Sequence, residues 1–228
     1  MTGATSESGY TSEDFEALHR RVKQKEREVY EESLKEHIRK AIAKSGLADA
    51  IKKLTFKSFK VDSTWQRQML NNAWNYAKNP EGWLMFCGQS GSGKTHLCTA
   101  VAGRFLRHGI PVKRLRWRLD SAKLKANYTS AEEAHNELMR YINAPCLFID
   151  DLFKGSLTET DVKVAFALID GRYSWNSKTL ITTELTVEEL LAIDEAIAGR
   201  IVEKCGNNLI TIEKNRDKNI RLKNVNRL

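Results

Sequence analysis

The sequence predicts a three-layer α/β fold, with a parallel sheet covered by helices on both faces. Two observations carry that expectation. From Trp83 to Ile212, short apolar runs alternate with longer amphipathic stretches, the order expected of strands joined by crossover helices. The first apolar run also leads directly into Gly88-Gln89-Ser90-Gly91-Ser92-Gly93-Lys94-Thr95, a glycine-rich turn that opens a helix. A third observation sets the N-terminal part apart. Residues 1–53 are dense in mixed charge and form an extension, whereas 54–228 carry the α/β pattern.

The elements follow in order. Met1 to Asp14 is polar and acidic and is expected to be disordered. Phe15 to Ser45 reads as a helix closed by Gly46, with Phe15, Leu18, Val22, Val29, Tyr30, Leu34, Ile38 and Ala41 as a drifting apolar stripe. Such a stripe packs on the rest of the chain or docks another protein. Leu54 to Val61 is a connector. Ser63 or Thr64 caps a helix through Trp65, Met69, Ala73 and Tyr76, broken by Asn79-Pro80-Glu81-Gly82. Trp83 to Cys87 reads as a buried strand, and Thr95 to Arg107 as a helix with Leu97, Val101 and Phe105 toward the sheet.

Val112 to Leu119 reads as a second strand. Its period of two puts Leu115, Trp117 and Leu119 on one face and Arg114, Arg116 and Arg118 on the other. Ser130 to Tyr141 is helical, and Pro145 to Ile149 is a strand ending in Asp150-Asp151. Helix Thr160 to Tyr173, strand Lys178 to Thr183, helices Val187 to Ile193 and Glu195 to Cys205, and strand Leu209 to Ile212 complete the pattern.

Bulk properties bound the function. The 228 residues are 41% hydrophobic, enough for one substantial core plus an appendage. A net charge of +8 fits an anionic partner such as nucleic acid. The four cysteines, Cys87, Cys98, Cys146 and Cys205, are scattered without a C-x-x-C pair. That spacing fits free thiols in a reducing cytoplasm and argues against zinc. No signal peptide or membrane-spanning run is visible, so no membrane partner is expected.

The motifs name a ligand. Gly88 to Thr95 matches G-x-x-x-x-G-K-[ST], whose glycines bring backbone N–H groups against phosphate oxygens. Gly88, Gln89, Ser90, Gly91, Ser92, Gly93, Lys94, Thr95 and His96 are the candidate nucleotide contacts. Lys94 supplies charge to the β- and γ-phosphates, and Thr95 a hydroxyl to Mg²⁺. The second requirement is a carboxylate at the end of another core strand. Leu147-Phe148-Ile149-Asp150 supplies it, 56 residues after Lys94. Asp150 is the second Mg²⁺ candidate, and Asp151 is placed to orient an attacking water. Together these predict an ATPase using ATP and Mg²⁺. Asp151 is shorter than glutamate, so slow turnover is expected. Arg200, in Gly199-Arg200-Ile201, is the candidate cation for a neighbouring subunit's γ-phosphate, with Arg172 second.

These motifs, with Ile169-Asp170-Gly171-Arg172-Tyr173 and Leu180-Ile181-Thr182-Thr183, together resemble the DnaC/DnaI/IstB-like AAA+ ATPases over about Leu54 to Ile212. The resemblance implies a P-loop NTPase core with strand order 5-1-4-3-2. It also implies no full lid domain, which agrees with only 44 residues following Glu184. It implies that Thr182 and Thr183 lie near the γ-phosphate, with Thr183 the catalytic candidate. Glu184 departs from the family's usual asparagine. A carboxylate there is unfavourable unless it meets a cation.

By resemblance, the function is ATP-dependent loading of a DnaB-type hexameric replicative helicase onto single-stranded DNA, by a self-associating loader docked through its N-terminal extension. The alternative is a transposition ATPase that coats DNA and contacts a transposase. A small-molecule kinase and a non-enzymatic adaptor are the other classes weighed. Arg104 to Lys125 holds eight Lys/Arg and one acid, Asp120. Arg114, Arg116, Trp117, Arg118, Lys123 and Lys125 are therefore the candidate DNA contacts, with Tyr128 nearby. Lys214 to Arg227 adds a basic tail.

Overall fold

The computed structural model describes residues 12–126 and 131–223. The chain start, Tyr128 and the end of the basic tail lie outside the described residues. α1 (Ser12–Lys44) is a 33-residue helix, supported on its exposed faces by i,i+4 pairs such as Arg27–Glu31 and Lys40–Glu36. It packs against the helix Lys94–Arg107 and the strand Val112–Arg116. Ala41 and Ile42 rest on the core, whereas Phe15, Leu18, Val22, Val29 and Tyr30 are exposed. Gly46 (φ 72°) ends it. Leu47 and Ile51, the latter in α2 (Ala50–Lys53), are buried in the main core. The ATPase body therefore begins before residue 53.

α3 (Thr64–Lys78) packs on the same side of the sheet as α2. Its start is tied down by Gln66, whose Oε1 accepts from the Asp62 N–H and the Ser63 hydroxyl, each at 2.8 Å. Then come β1 (Leu84–Gly88), α4 (Lys94–Arg107), β2 (Val112–Arg116), α5 (Trp117–Ala126), α6 (Ala131–Ile142), β3 (Cys146–Asp150), α7 (Glu159–Ser174) and β4 (Lys178–Thr182). α8 (Val187–Ile193), α9 (Glu195–Cys205), β5 (Leu209–Ile212) and α10 (Ile220–Lys223) complete the described chain. The five strands are parallel in the order β2-β3-β4-β1-β5, the order that the resemblance implied. Among the described residues, only a short 3-10 turn and α10 follow β5, so no lid domain is present there.

Strand alternation splits the core in two. Met85, Cys87, Leu147 and Ile149 face the side covered by α5, α7, α8 and α9. Leu84, Phe86, Cys146 and Phe148 face the side covered by α2, α3 and α4. Both sets are buried because crossover helices cover both faces of a parallel sheet. All four cysteines are free and buried. Burial pushes their thiols upward in pKa, so they serve as small hydrophobes rather than nucleophiles.

One element departs from expectation. The second strand stops at Arg116, and α5 starts at Trp117. The Asp120 carboxylate accepts from the Arg116 backbone N–H at 2.8 Å and pairs with its guanidinium at 2.9 Å, which captures the first helical turn. The buried positions Trp117, Ser121 and Leu124 follow the helical period, and Leu119 is exposed. The apparent period of two was a coincidence of a helix start.

Candidate active site

The loop Gly88 to Gly93 joins the buried β1 to the N-terminus of α4. Gly93 sits at φ 97°, and a Cβ there would lie 2.6 Å from the Phe59 ring. Only glycine meets both demands. Phe59 also packs edge-on against His96, and His96 Nε2 lies 2.8 Å from the Thr55 carbonyl. The connector thus forms one wall of a 480 Å³ cleft lined by Ser90 to His96, Asp151, Lys154, Glu184, Ile220 and Arg221. Gly88 and Gln89 are outside its lining. Their carbonyls accept from Lys94 Nζ at 2.8 and 2.6 Å. Burial pushes the Lys94 ammonium down to about 8, against the opposing pull of Glu184 and Asp151.

Asp150 ends β3 beside the loop. Its Oδ1 accepts from Thr95 Oγ1 and Thr182 Oγ1, both at 2.9 Å. Its Oδ2 accepts from Arg114 Nε at 3.1 Å and from the same guanidinium's Nη2. Asp151 adopts the left-handed conformation, φ 60°, and its N–H donates to Thr182 Oγ1 at 2.9 Å. The turn directs the Asp151 carboxylate into the cleft, where Lys154 Nζ meets it at 3.0 Å and meets Glu184 at 2.8 Å. Ser90 Oγ donates to the same Glu184 oxygen at 2.6 Å. Burial works against both charges, yet these bonds hold Glu184 below the usual carboxylate range and Lys154 above the usual ammonium range.

The donor set fits a magnesium nucleotide. In a bound nucleotide complex the loop N–H groups and Lys94 would meet phosphates, and Thr95 with Asp150 offers hard oxygen ligands. No group of three His, Cys, Asp or Glu among the described residues could hold a metal unaided. A magnesium ion would therefore complete its shell with phosphate and water oxygens. When bound, it would neutralise charge on the transferred phosphoryl group.

Several expected roles need correction. Thr183 is buried and donates to the Leu152 carbonyl at 2.9 Å. It braces the turn after β3, while Thr182 bonds the Asp150 carboxylate. Arg172 is wholly buried, with its guanidinium donating to the carbonyls of Tyr141, Ile142, Ala144 and Lys178 and to Thr179 Oγ1. It clamps the turn before β3 to the start of β4 and reaches no neighbour. Trp117 is 2% exposed and packs edge-on against Phe153, so it cannot stack on a base. Arg114 is spent on Asp150, and Arg116 on Asp120. Arg118 is exposed, and the side chains of Lys123 and Lys125 lie outside the description. Arg200 sits away from the cleft, pairing with Asp170 at 3.0 Å and lying over Phe166 and Tyr173.

Sequence reasoning missed three placements: Arg114 at Asp150, Lys154 in the cleft and Arg221 in its lining. Lys154 had a legible signal, a lone cation three residues after Asp151. The other two had none, because β2 register and tail placement are tertiary.

The profile of the IstB-like ATP binding protein family matches residues 11–224. The chain belongs to that family. This IstB-like ATPase is 30% identical over 193 residues to the phage-like element PBSX protein XkdC of Bacillus subtilis, covering 77% of this chain and 71% of that one. It is 32% identical over 196 residues to YqaM of the same organism, covering 78% of this chain but 61% of YqaM. It is 22% identical over 174 residues to the replicative helicase loader DnaC of Escherichia coli, covering 74% and 70% of the two chains. A crystal structure of the DnaC helicase loader shares the fold at TM-score 0.57 and 21% identity, covering 73% of this IstB-like ATPase and 99% of that structure. No helix among the described residues is long and apolar enough to cross a membrane.

Proposed function

We propose that this protein is an ATP-controlled loader that grips a DnaB-type ring helicase and delivers it to single-stranded DNA in the cytoplasm. The supporting observation is α1. Its N-terminal stretch holds Phe15, Leu18, Val22, Val29 and Tyr30 exposed on a helix whose Ala41 and Ile42 pack on the nucleotide-binding body. An apolar helical face of this kind lies into a partner's groove. ATP and Mg²⁺ occupy the cleft through Lys94, Thr95 and Asp150, and Asp151 orients the attacking water. Arg200, partly exposed where α9 meets α7, completes the site of the next subunit in an oligomer. Arg118, Lys123 and Lys125 are the remaining candidates for phosphate contacts on DNA. The relative named as a replicative helicase loader supports this reading.

The test is co-purification with a replicative helicase, with and without ATP, for the full chain and for a deletion of residues 1–30. That deletion spares Leu34, Ala41, Leu47 and Ile51. ATP-dependent binding lost on deletion is expected. A full-length protein that binds no helicase in either state would remove the loader reading and leave the ATPase.

The family match favours a second reading, a transposition ATPase that coats DNA and contacts a transposase. It shares every nucleotide-site residue. Capture of a transposase instead of a helicase would select it.

A further inference from the structure

We propose that Lys154 is a built-in sensor of the terminal phosphate, acting within its own subunit and giving this ATPase its preference for ATP over ADP. The proposal rests on nucleotide binding in the cleft, not on helicase loading.

The charged side chains that line the cleft include Lys94, Asp151, Lys154 and Glu184, with Lys60 and Arg221 beside them in the lining. Lys94 folds back onto loop carbonyls, and Asp150 is paired separately with Arg114. Lys154 is then the cation shared by two carboxylates, at 3.0 Å from Asp151 and 2.8 Å from Glu184. Glu184 is tied to the loop itself by Ser90 Oγ at 2.6 Å. The loop binds phosphate, so this carboxylate stands where added negative charge would be repelled. Lys154 removes that conflict. Its side chain is 30% exposed on a flexible stem, so the ammonium can shift from the carboxylates toward a terminal phosphate while staying near both. That shift would also release Asp151 to bind water. A diphosphate lacks the group that draws Lys154 away and leaves the ion pairs in place.

This arrangement predicts opposite effects from its two members. Fluorescent ATP and ADP analogues should be titrated against the full chain and its variants, with thermal melts as a folding control. Lys154→Met is expected to weaken ATP by about tenfold, or roughly 1.4 kcal/mol, and to change ADP by less than about threefold. Glu184→Gln is expected to strengthen ATP relative to ADP. The double variant should return the ratio toward the wild-type value, and Lys154→Arg should retain most of it. Equal losses for ATP and ADP in Lys154→Met, with Glu184→Gln leaving the ratio unchanged, would overturn the proposal and reduce Lys154 to a structural brace. A wild-type protein that bound neither nucleotide would instead remove the ATPase assignment.

Discussion

Arg114 grips the carboxylate of Asp150 from the neighbouring strand. Register places Arg116 directly opposite Asp150, so Arg114 reaches it diagonally along the same sheet face. The candidate metal carboxylate is therefore neutralised by a cation of its own subunit. Asp150 is only 5% exposed, and a carboxylate so buried needs such a partner.

Removing that partner should expose the conflict. Arg114→Ala is expected to lose about 2–3 kcal/mol of stability in the nucleotide-free protein, read as a drop of several degrees in Tm. Magnesium nucleotide should then raise the Tm of the variant more than that of the wild type, because the metal takes over Arg114's role. Equal ligand-induced shifts would count against competition between Arg114 and the metal.

Arg172 is a structural residue. Arg172→Leu strands the carbonyls of Tyr141, Ile142, Ala144 and Lys178 without donors, and should cost about 3–5 kcal/mol. Arg172→Lys should recover little, since an ammonium cannot reproduce the planar fork. The urea midpoint measures this. A fully stable Arg172→Leu with lost ATPase activity would reinstate the residue as catalytic.

Arg200 behaves in the opposite way. Its pair with Asp170 is partly exposed, so Arg200→Ala should change stability by less than about 1 kcal/mol. ATP-dependent assembly and turnover should nonetheless fall sharply, and mixing with a Lys94→Ala variant should restore activity at shared interfaces. No rescue on mixing would argue against action between subunits.

Lys94 sets a pH dependence. Its folded pKa of about 8 lies below the usual lysine value, so between about 8 and about 10.4 the unfolded chain holds a proton that the folded protein lacks. In that window Lys94 makes stability rise with pH, and its cost is fully present below about 8. Phosphates restore the charge. Nucleotide binding should therefore take up protons and weaken as pH rises through the window. Calorimetry in buffers of different ionisation enthalpy detects the uptake. An unchanged proton count in Lys94→Arg, which stays charged, would assign it to another group.

Trp117 tests the boundary between β2 and α5. Trp117→Ala should cost about 3–5 kcal/mol, as a core truncation does. A fully stable variant with weakened single-stranded DNA binding would restore the surface reading.

Much of the site was legible because its chemistry demands fixed spacing. Gly88 to Thr95 needs a strand before it and a helix after it, and Asp150 needs an apolar run ending in a carboxylate. Glu184 was readable as an anomaly, and its solution was not. Lys154 lies 30 residues away in sequence and meets Glu184 only because β3 and β4 are neighbours in the sheet. Trp117 and Leu119 misled because a helix start and a strand both show alternation over three residues.

The phosphate-loop motif, a core strand ending in a carboxylate, the alternation of strands and helices and the ATPase family were all carried by the sequence alone, since these rest on local patterns with periods and spacings of their own. Only the tertiary structure decided which arginine is buried, which clamps Asp150 and which stays on the surface. Arginine's meaning depends on what faces it, and facing partners come from strand register and crossover, which no local pattern encodes.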